Sequence, residues 1–333
     1  MATGNGILIV GEISGSDIAG VTGELLGVGR KLADNIGEKL QVIFIGSSIS
    51  DVASGAFAMG ADDVFIGDNP FLALYQPESY AAVLEKAVED IGFNTIIMGT
   101  TTMGRDLCPK LACRLESGLA MDCLDLNIDS QDGNLIAARP VFGGKAMAEV
   151  DCGPARPSMA TVRLKSQAPL ALDSSRSGDL IPISVSLEAS LAKTVIVDTV
   201  AIEAEGVVLE DARIVVGGGR GIGSKDNWSK LEELAGAFEG AVGSTRGACD
   251  EGYCALDTQL GITSKTVAPD LYLAVGISGA SQHMSGVAFS KYIVAINKDA
   301  DAPIFKHSQF GIVAKWEDVL PSFQAKIKEL LAG

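Results

Sequence analysis

The residues best suited to chemistry fall in five short clusters in the last third of the chain. The first, Val216-Gly217-Gly218-Gly219-Arg220-Gly221-Ile222-Gly223, is an apolar run feeding a glycine turn. Such a turn can bring backbone N–H groups against an anion, with a following helix adding the positive end of its dipole. Arg220 lies inside it, and a cation there is costly unless something negative or aromatic faces it. The second cluster, Gly243-Ser244-Thr245-Arg246-Gly247, again surrounds an arginine with small residues. The third is Gln259-Leu260-Gly261-Ile262-Thr263-Ser264-Lys265. The fourth runs from Ala274-Val275 through Gly276-Ile277-Ser278-Gly279-Ala280-Ser281-Gln282 to His283, from a strand into a helix start. The fifth is Val294-Ala295-Ile296-Asn297-Lys298-Asp299. Four of the five clusters follow or border strand signals, and open parallel sheets gather ligands at the carboxyl ends of their strands.

Other chemistries find little support. The dinucleotide pattern G-x-G-x-x-G is not met, because the third position counted from Gly219 and Gly221 is Ser224. No acid–base pair accompanies the turn, which argues against a nicotinamide-dependent dehydrogenase. The six cysteines form no CxxC pair, and His283 and His307 are the only histidines. No metal site is expected, and the cysteines read as reduced core residues of a cytoplasmic protein.

The elements that must position these clusters come in two sets. In the first half Ile7–Val10, Val42–Ile45 and Thr95–Met98 are buried strand-sized runs, each followed by glycine. Helical periods lie between and after them, carried by Leu25, Leu32 and Ile36, by Leu84, Val88 and Ile91, and by Leu107, Leu111 and Leu115. Apolar strands joined by helices imply a parallel sheet covered on both faces. From Leu124 the period falls to two, and Asp132-Gly133 signals a hairpin. Residues 135–141, 147–150 and 159–164 extend this into an expected antiparallel annex. Polar, glycine- and acid-rich sequence follows, and a boundary is expected near 195–208. Strand–helix alternation then resumes and closes on a helix from Trp316 to Leu331. The fold class is therefore α/β with two domains, 1–198 and 208–333.

A net charge of −16 argues against a nucleic-acid partner. No segment reaches the ~20 apolar residues of a transmembrane helix. Met1–Gly6 carry no basic region before the first apolar run, so neither a signal peptide nor a transit peptide is expected.

The clusters together resemble the alpha subunits of electron transfer flavoproteins. The likeness is densest from 210 to 314, in Leu271–His283, in Ala295-Ile296-Asn297-Lys298-Asp299 with Ala302-Pro303-Ile304-Phe305, and in Phe310-Gly311-Ile312-Val313-Ala314. Gly104-Arg105-Asp106-Leu107 and Arg156–Arg163 extend it into the first half. The resemblance implies a nucleotide-hydrolase-like first domain that packs on a beta subunit, and a Rossmann-like second domain that binds one FAD. The beta subunit would carry AMP or a second FAD. Arg220, Thr245 and Arg246 are implied beside the isoalloxazine, Thr263 at its N5, and His283 at its pyrimidine edge. With these cations and donors the protein would tune the flavin potential, and no residue has a catalytic role. Gly261, Ile262, Ser278, Gly279, Ala280, Ser281, Gln282 and Asn297 are implied as further cofactor contacts. Three departures stand out: Ile262-Thr263-Ser264 replaces a Gln-Thr/Ser-Gly stretch, Lys315 replaces an aspartate, and Val287 follows Gly286 in place of methionine.

The implied function is electron carriage, as in fatty acid beta-oxidation, from flavin dehydrogenases of the acyl-CoA dehydrogenase type to a membrane quinone reductase. The alternative is an electron-bifurcating or confurcating assembly linking NADH, ferredoxin and an acyl-CoA dehydrogenase or quinone. A nucleotide-binding subunit that has lost its flavin is a third reading.

Overall fold

The structure is a computed structural model that describes residues 6–142, 144, 146–183, 194, 196–200 and 207–332. The chain parts into two compact units between Thr199 and Val200. Residues 195 and 201–206 of the expected boundary lie outside the described residues, as do 184–193 before it.

The first unit runs β1 (Ile7–Val10), a small ribbon of β2 (Ile13–Ser14) and β3 (Asp17–Ile18), α1 (Gly20–Ile36), β4 (Leu40–Gly46), α2 (Ser50–Ala53) and β5 (Asp63–Asp68). It continues through α3 (Pro77–Ile91), β6 (Thr95–Gly99), α4 (Thr102–Arg114), β7 (Leu119–Cys123), β8 (Asp125–Ile128), β9 (Leu135–Val141), β10 (Ala146–Asp151), β11 (Ser158–Val162) and β12 (Asp179–Pro182). Seven strands make one parallel sheet in the order β12-β5-β4-β1-β6-β11-β7. Successive residues of its central strands enter opposite cores: Ile7 and Ile9 pack with α1, Leu8 and Val10 with α3 and α4. Burial on both faces accounts for the unbroken apolar runs.

The antiparallel annex consists of β8, β9 and β10. One expected member is corrected. β11 leaves the annex and inserts between β6 and β7 of the parallel sheet, with all five of its residues buried. A short apolar run does not by itself distinguish a half-buried strand from a fully buried one. β12 pairs with β5 at the sheet edge and ends on Pro182, a place where a missing N–H costs little.

The second unit contains β13 (Ile214–Gly218), α5 (Lys225–Ala237), β14 (Ala241–Ser244), α6 (Arg246–Asp250), β15 (Leu271–Val275), α7 (Ser281–Val287), β16 (Tyr292–Asn297), β17 (Phe310–Val313) and α8 (Trp316–Ala332). Its five strands are parallel in the order β14-β13-β15-β16-β17. Val215, Tyr272 and Ala274 face one core with Met284 and Val287 of α7. Val216, Leu273 and Val275 face the other with Trp228 and Leu231 of α5 and Trp316 of α8. Each buried valine, leucine or methionine among them stabilises the unit by about 1.5–3 kcal/mol. Numbered within the unit, the strand order is two-one-three-four-five. The direction of winding therefore reverses between β13 and β15, and ligands of such sheets bind in that crevice, outside the strands' carboxyl ends.

Candidate functional site

The turns that follow β13 and β15 form this crevice, and they interlock backbone to backbone. Gly219 N–H donates to the Val275 carbonyl at 2.9 Å, and Gly221 N–H to the Gly276 carbonyl at 3.1 Å. A Cβ on Gly219 would stand 2.1 Å from the Gly276 oxygen, and one on Gly221 would stand 2.7 Å from it. Gly276 itself has φ +63°, which favours a residue without Cβ. Gly217 and Gly218 make room for the Tyr272 hydroxyl and the Trp228 ring. Ile222 and Gly223 donate their N–H groups within the turn. The expectation of N–H groups cradling an anion is therefore not met by these glycines. The turn is a packing device, and what it presents outward is Arg220.

Arg220 is exposed, and among the described residues no carboxylate pairs with it. A Cβ on Gly247 would lie 3.7 Å from the Arg220 Cβ, so the first two clusters meet. Thr245 caps α6, its hydroxyl accepting a long hydrogen bond from Ala248 N–H at 3.4 Å. Arg246 pairs with Asp250 at 3.4 Å, both side chains largely exposed. A pair of that kind is screened by water and weak. Of the two arginines, Arg220 therefore keeps more of its charge for a ligand.

The third cluster folds onto the start of α7. Ile262 N–H donates to the Gln282 carbonyl at 2.9 Å, and a Cβ on Gly286 would lie 2.4 Å from the Gly261 nitrogen. Ser264 accepts a hydrogen bond from the Gln259 amide at 2.9 Å, so this departure from the family pattern helps to hold the loop. Ile262 is 60% exposed, and Thr263 is exposed. Among the described residues the Thr263 hydroxyl has no partner within the chain. Among the described residues the N–H groups of Ser281 and Gln282, in the first turn of α7, also find no acceptor.

Asn297 ties the fourth and fifth clusters. Its amide donates to the Ile277 carbonyl at 2.8 Å, and its oxygen accepts from Asp299 N–H at 3.0 Å. Asn297 therefore orients the 276–279 turn, and its amide group is committed there. Ser278 and Ala280 are exposed beside it, whereas Gly279 is buried against Ile304. Lys315 is exposed.

His283 departs from expectation. It is 6% exposed, and both ring nitrogens are bonded within the protein: Nδ1 to the Leu260 carbonyl at 3.1 Å, Nε2 to the Tyr272 hydroxyl at 2.8 Å. A carbonyl only accepts, so Nδ1 carries the proton and Nε2 accepts from Tyr272. Burial pushes the histidine down to about 4, against a smaller upward pull from the Leu260 hydrogen bond. The ring is thus neutral at ordinary pH and has no free N–H to offer a ligand edge. Tyr272 was not singled out in the sequence, although a tyrosine in the buried run Leu271–Val275 calls for a partner for its hydroxyl.

Among the described residues no group of three His, Cys, Asp or Glu side chains could hold a metal ion, and no helix is long and apolar enough to cross a membrane. A cavity of about 380 Å³ lies in the first unit, lined by Ser50, Ile66, Asp68, Leu72, Val83 and Leu180. None of the sequence-derived site residues belongs to it.

Two family models match the chain. The electron transfer flavoprotein domain covers residues 7–188, and the electron transfer flavoprotein FAD-binding domain covers residues 208–288. The chain is 41% identical to the electron transfer flavoprotein subunit alpha of Thermoanaerobacterium thermosaccharolyticum, over 97% of this chain and 98% of that one. It is 40% identical to the Bacillus subtilis subunit alpha, over 98% of each. It is also 37% identical to the acryloyl-CoA reductase electron transfer subunit beta of Anaerotignum propionicum, over 92% of this chain and 91% of that one. The fold and these matches define a flavin-binding electron-transfer subunit. The chain belongs to the electron transfer flavoprotein family, within its alpha subunits.

Proposed function

We propose that the second unit holds a single FAD at the β13/β15 crevice and that the chain works in the cytoplasm as one half of a heterodimer with a beta subunit. That assembly takes electrons from flavin dehydrogenases of the acyl-CoA dehydrogenase type and passes them to a membrane quinone reductase. The observation that carries the reading is Arg220: exposed, without a carboxylate partner among the described residues, and rooted beside Gly247 at the switch point of a parallel sheet. A cation so placed fits a ligand that gains negative charge.

The donor set fits FAD. Arg220 and Arg246 would line the edge that becomes negative, and Thr263 supplies a hydroxyl with no partner among the described residues. Ser281 and Gln282 supply open N–H groups, and Ser278 and Ala280 line the turn between them. The flavin, when bound, supplies the capacity to take up and release electrons singly or in pairs. The protein supplies position and field. Arg220 favours added negative charge electrostatically, and Arg246 does so less because Asp250 offsets it. His283, held neutral between Leu260 and Tyr272, fixes the loop that carries Thr263. Its side chain is a positioning group.

A second reading is an electron-bifurcating assembly in which the beta subunit carries another FAD and ferredoxin is a partner. It draws support from the likeness to a relative named as an acryloyl-CoA reductase electron transfer subunit. The absorbance spectrum of the purified heterodimer, with a count of FAD and AMP, tests both. One FAD with AMP is expected. Two FAD would favour the second reading, and a colourless preparation that does not take up FAD would overturn the flavin site.

A further inference from the structure

Cys249 and Cys254 are the two cysteines of the second unit, and their sulfurs lie 3.6 Å apart. That is the contact distance of two unbonded sulfurs, and a disulfide would bring them to about 2.05 Å. The backbone has already made the turn that faces them. Cys249 lies in α6, Gly252 adopts φ +72°, Gly252 N–H donates to the Cys249 carbonyl at 2.8 Å, and Tyr253 N–H donates to Ala248 at 3.1 Å. Side-chain rotation alone is then asked to close the remaining gap. Hydroxyl groups converge on the same spot: Ser244 Oγ lies 3.0 Å from the Cys249 sulfur, and Thr258 donates to Ser244 Oγ at 3.0 Å. Cys249 is buried and Cys254 half-buried, so only one of the pair meets a reagent first. The other four cysteines all lie in the first unit.

We propose that Cys249 and Cys254 form a reversible dithiol–disulfide couple, oxidised by exchange with the disulfide of a low-molecular-weight thiol. The Cys254 thiolate attacks one sulfur of the small disulfide and expels the first small thiolate, which takes up a proton. Cys249, losing its proton, then attacks the Cys254 sulfur and expels the second. One small disulfide and two protein thiols become one protein disulfide and two small thiols, so the protein gives up two electrons and two protons. The second step is intramolecular between sulfurs already in contact, so the mixed disulfide does not accumulate. Burial pushes the Cys254 thiol up to about 11, with hydrogen bonds from Ser244 and Thr258 lowering it in part. The first step therefore quickens about tenfold per pH unit through the neutral range, following the thiolate fraction.

The test uses the full-length protein as isolated, equilibrated in buffers of varied glutathione to glutathione disulfide ratio, alkylated and digested with trypsin. Both cysteines fall in one peptide, residues 247–265, between Arg246 and Lys265. The expected result is a species of that peptide carrying no alkyl group and lighter than the dithiol by about 2 Da, the two hydrogens lost. Its share should follow the redox ratio and return to the dithiol on reduction. Cys249→Ser should leave glutathione on Cys254. Cys254→Ser, at the more exposed position, should remove the light species altogether. Full alkylation of both thiols at every ratio, or a light species that survives Cys254→Ser, would overturn the proposal.

Discussion

The two parallel sheets of this chain wind alike and present opposite charges at corresponding places. In the first unit the winding reverses between β1 and β6, and in the second between β13 and β15. At the first reversal Glu12 follows β1, its carboxylate accepting a hydrogen bond from Thr101 at 2.6 Å. Thr101 in turn caps α4 by accepting from Gly104 N–H at 3.0 Å. At the second reversal the corresponding turn presents Arg220. A topology that gathers ligands thus offers a carboxylate in one copy and a guanidinium in the other, so the fold alone does not say which crevice is used. Charge sign does: phosphates and a ring that gains electrons suit the second and are repelled by the first.

The two crevices also carry titration signatures of opposite direction. Burial raises Glu12 above its ordinary 4.5, against a smaller lowering by Thr101, while burial lowers His283 from 6.5 to about 4. In both cases the folded protein favours the neutral form. Glu12 therefore contributes stability that is present below pH 4.5 and is lost as pH rises through its raised value. His283 contributes stability that is present above pH 6.5 and is lost as pH falls towards 4.

The largest expected effect comes from making the second crevice resemble the first. Arg220→Glu should weaken FAD binding roughly 100-fold, about 2.7 kcal/mol, because a cation facing the ligand becomes an anion. Equilibrium dialysis with FAD measures it, and retention of native affinity would remove charge sign as the basis of the comparison. Tyr272→Phe should cost about 1–3 kcal/mol in unfolding, since it leaves the buried His283 Nε2 without its donor. Trp228 and Trp316 both lie in the second unit, so tryptophan fluorescence follows that transition.

His283→Gln should flatten the rise of stability between pH 4 and 6.5, a slope of at most about 1.4 kcal/mol per pH unit, while leaving the flavin potential between pH 7 and 8 unchanged. A change in the slope of potential against pH would restore the ring-edge role that the structure argues against. Arg220→Ala should lower the one-electron potential by about 40 mV, or about 1 kcal/mol, and Arg246→Ala by less than half of that. Spectroelectrochemical titration orders the two, and a larger effect at Arg246 would contradict the compensation by Asp250. The smallest effect is Glu12→Gln, a gain of a few tenths to about 1 kcal/mol at pH 7 that disappears below pH 4.5. Amide exchange along β1 reads it, and no difference between the two pH values would show that Glu12 is already hydrated.

Much of the scaffold was legible because buried parallel strands have no polar face to break their runs. Ile7–Val10, Thr95–Gly99 and Leu271–Val275 announce themselves in this way. β11 did not, since Ser158–Val162 is equally apolar as a sandwiched strand or as an annex strand, and only pairing decides. β12 was hidden by Pro182 and its polar flanks. The turns that border the crevice were legible as a set, and the contacts of their side chains were not. Glycines that read as an anion cradle pack against Gly276, Tyr272 and Trp228. An asparagine that reads as a ligand contact holds the Ile277 carbonyl. His283 reads as a donor until Tyr272 and Leu260, distant in sequence, close on its ring.

The seam between the 219–221 turn and Gly276 bears on how this site could be remodelled. Its width is the thickness of two peptide backbones, so it admits no gradual series of substitutions: the first added carbon at Gly219 would already meet an oxygen at 2.1 Å. Side chains around the rim can vary freely without moving the two loops apart. Libraries aimed at a different cofactor or potential should therefore diversify positions 220, 246, 262 and 263 and leave 219, 221 and 276 as glycine. A lineage that changes those three would have to invent a new spacing for the whole crevice in a single step.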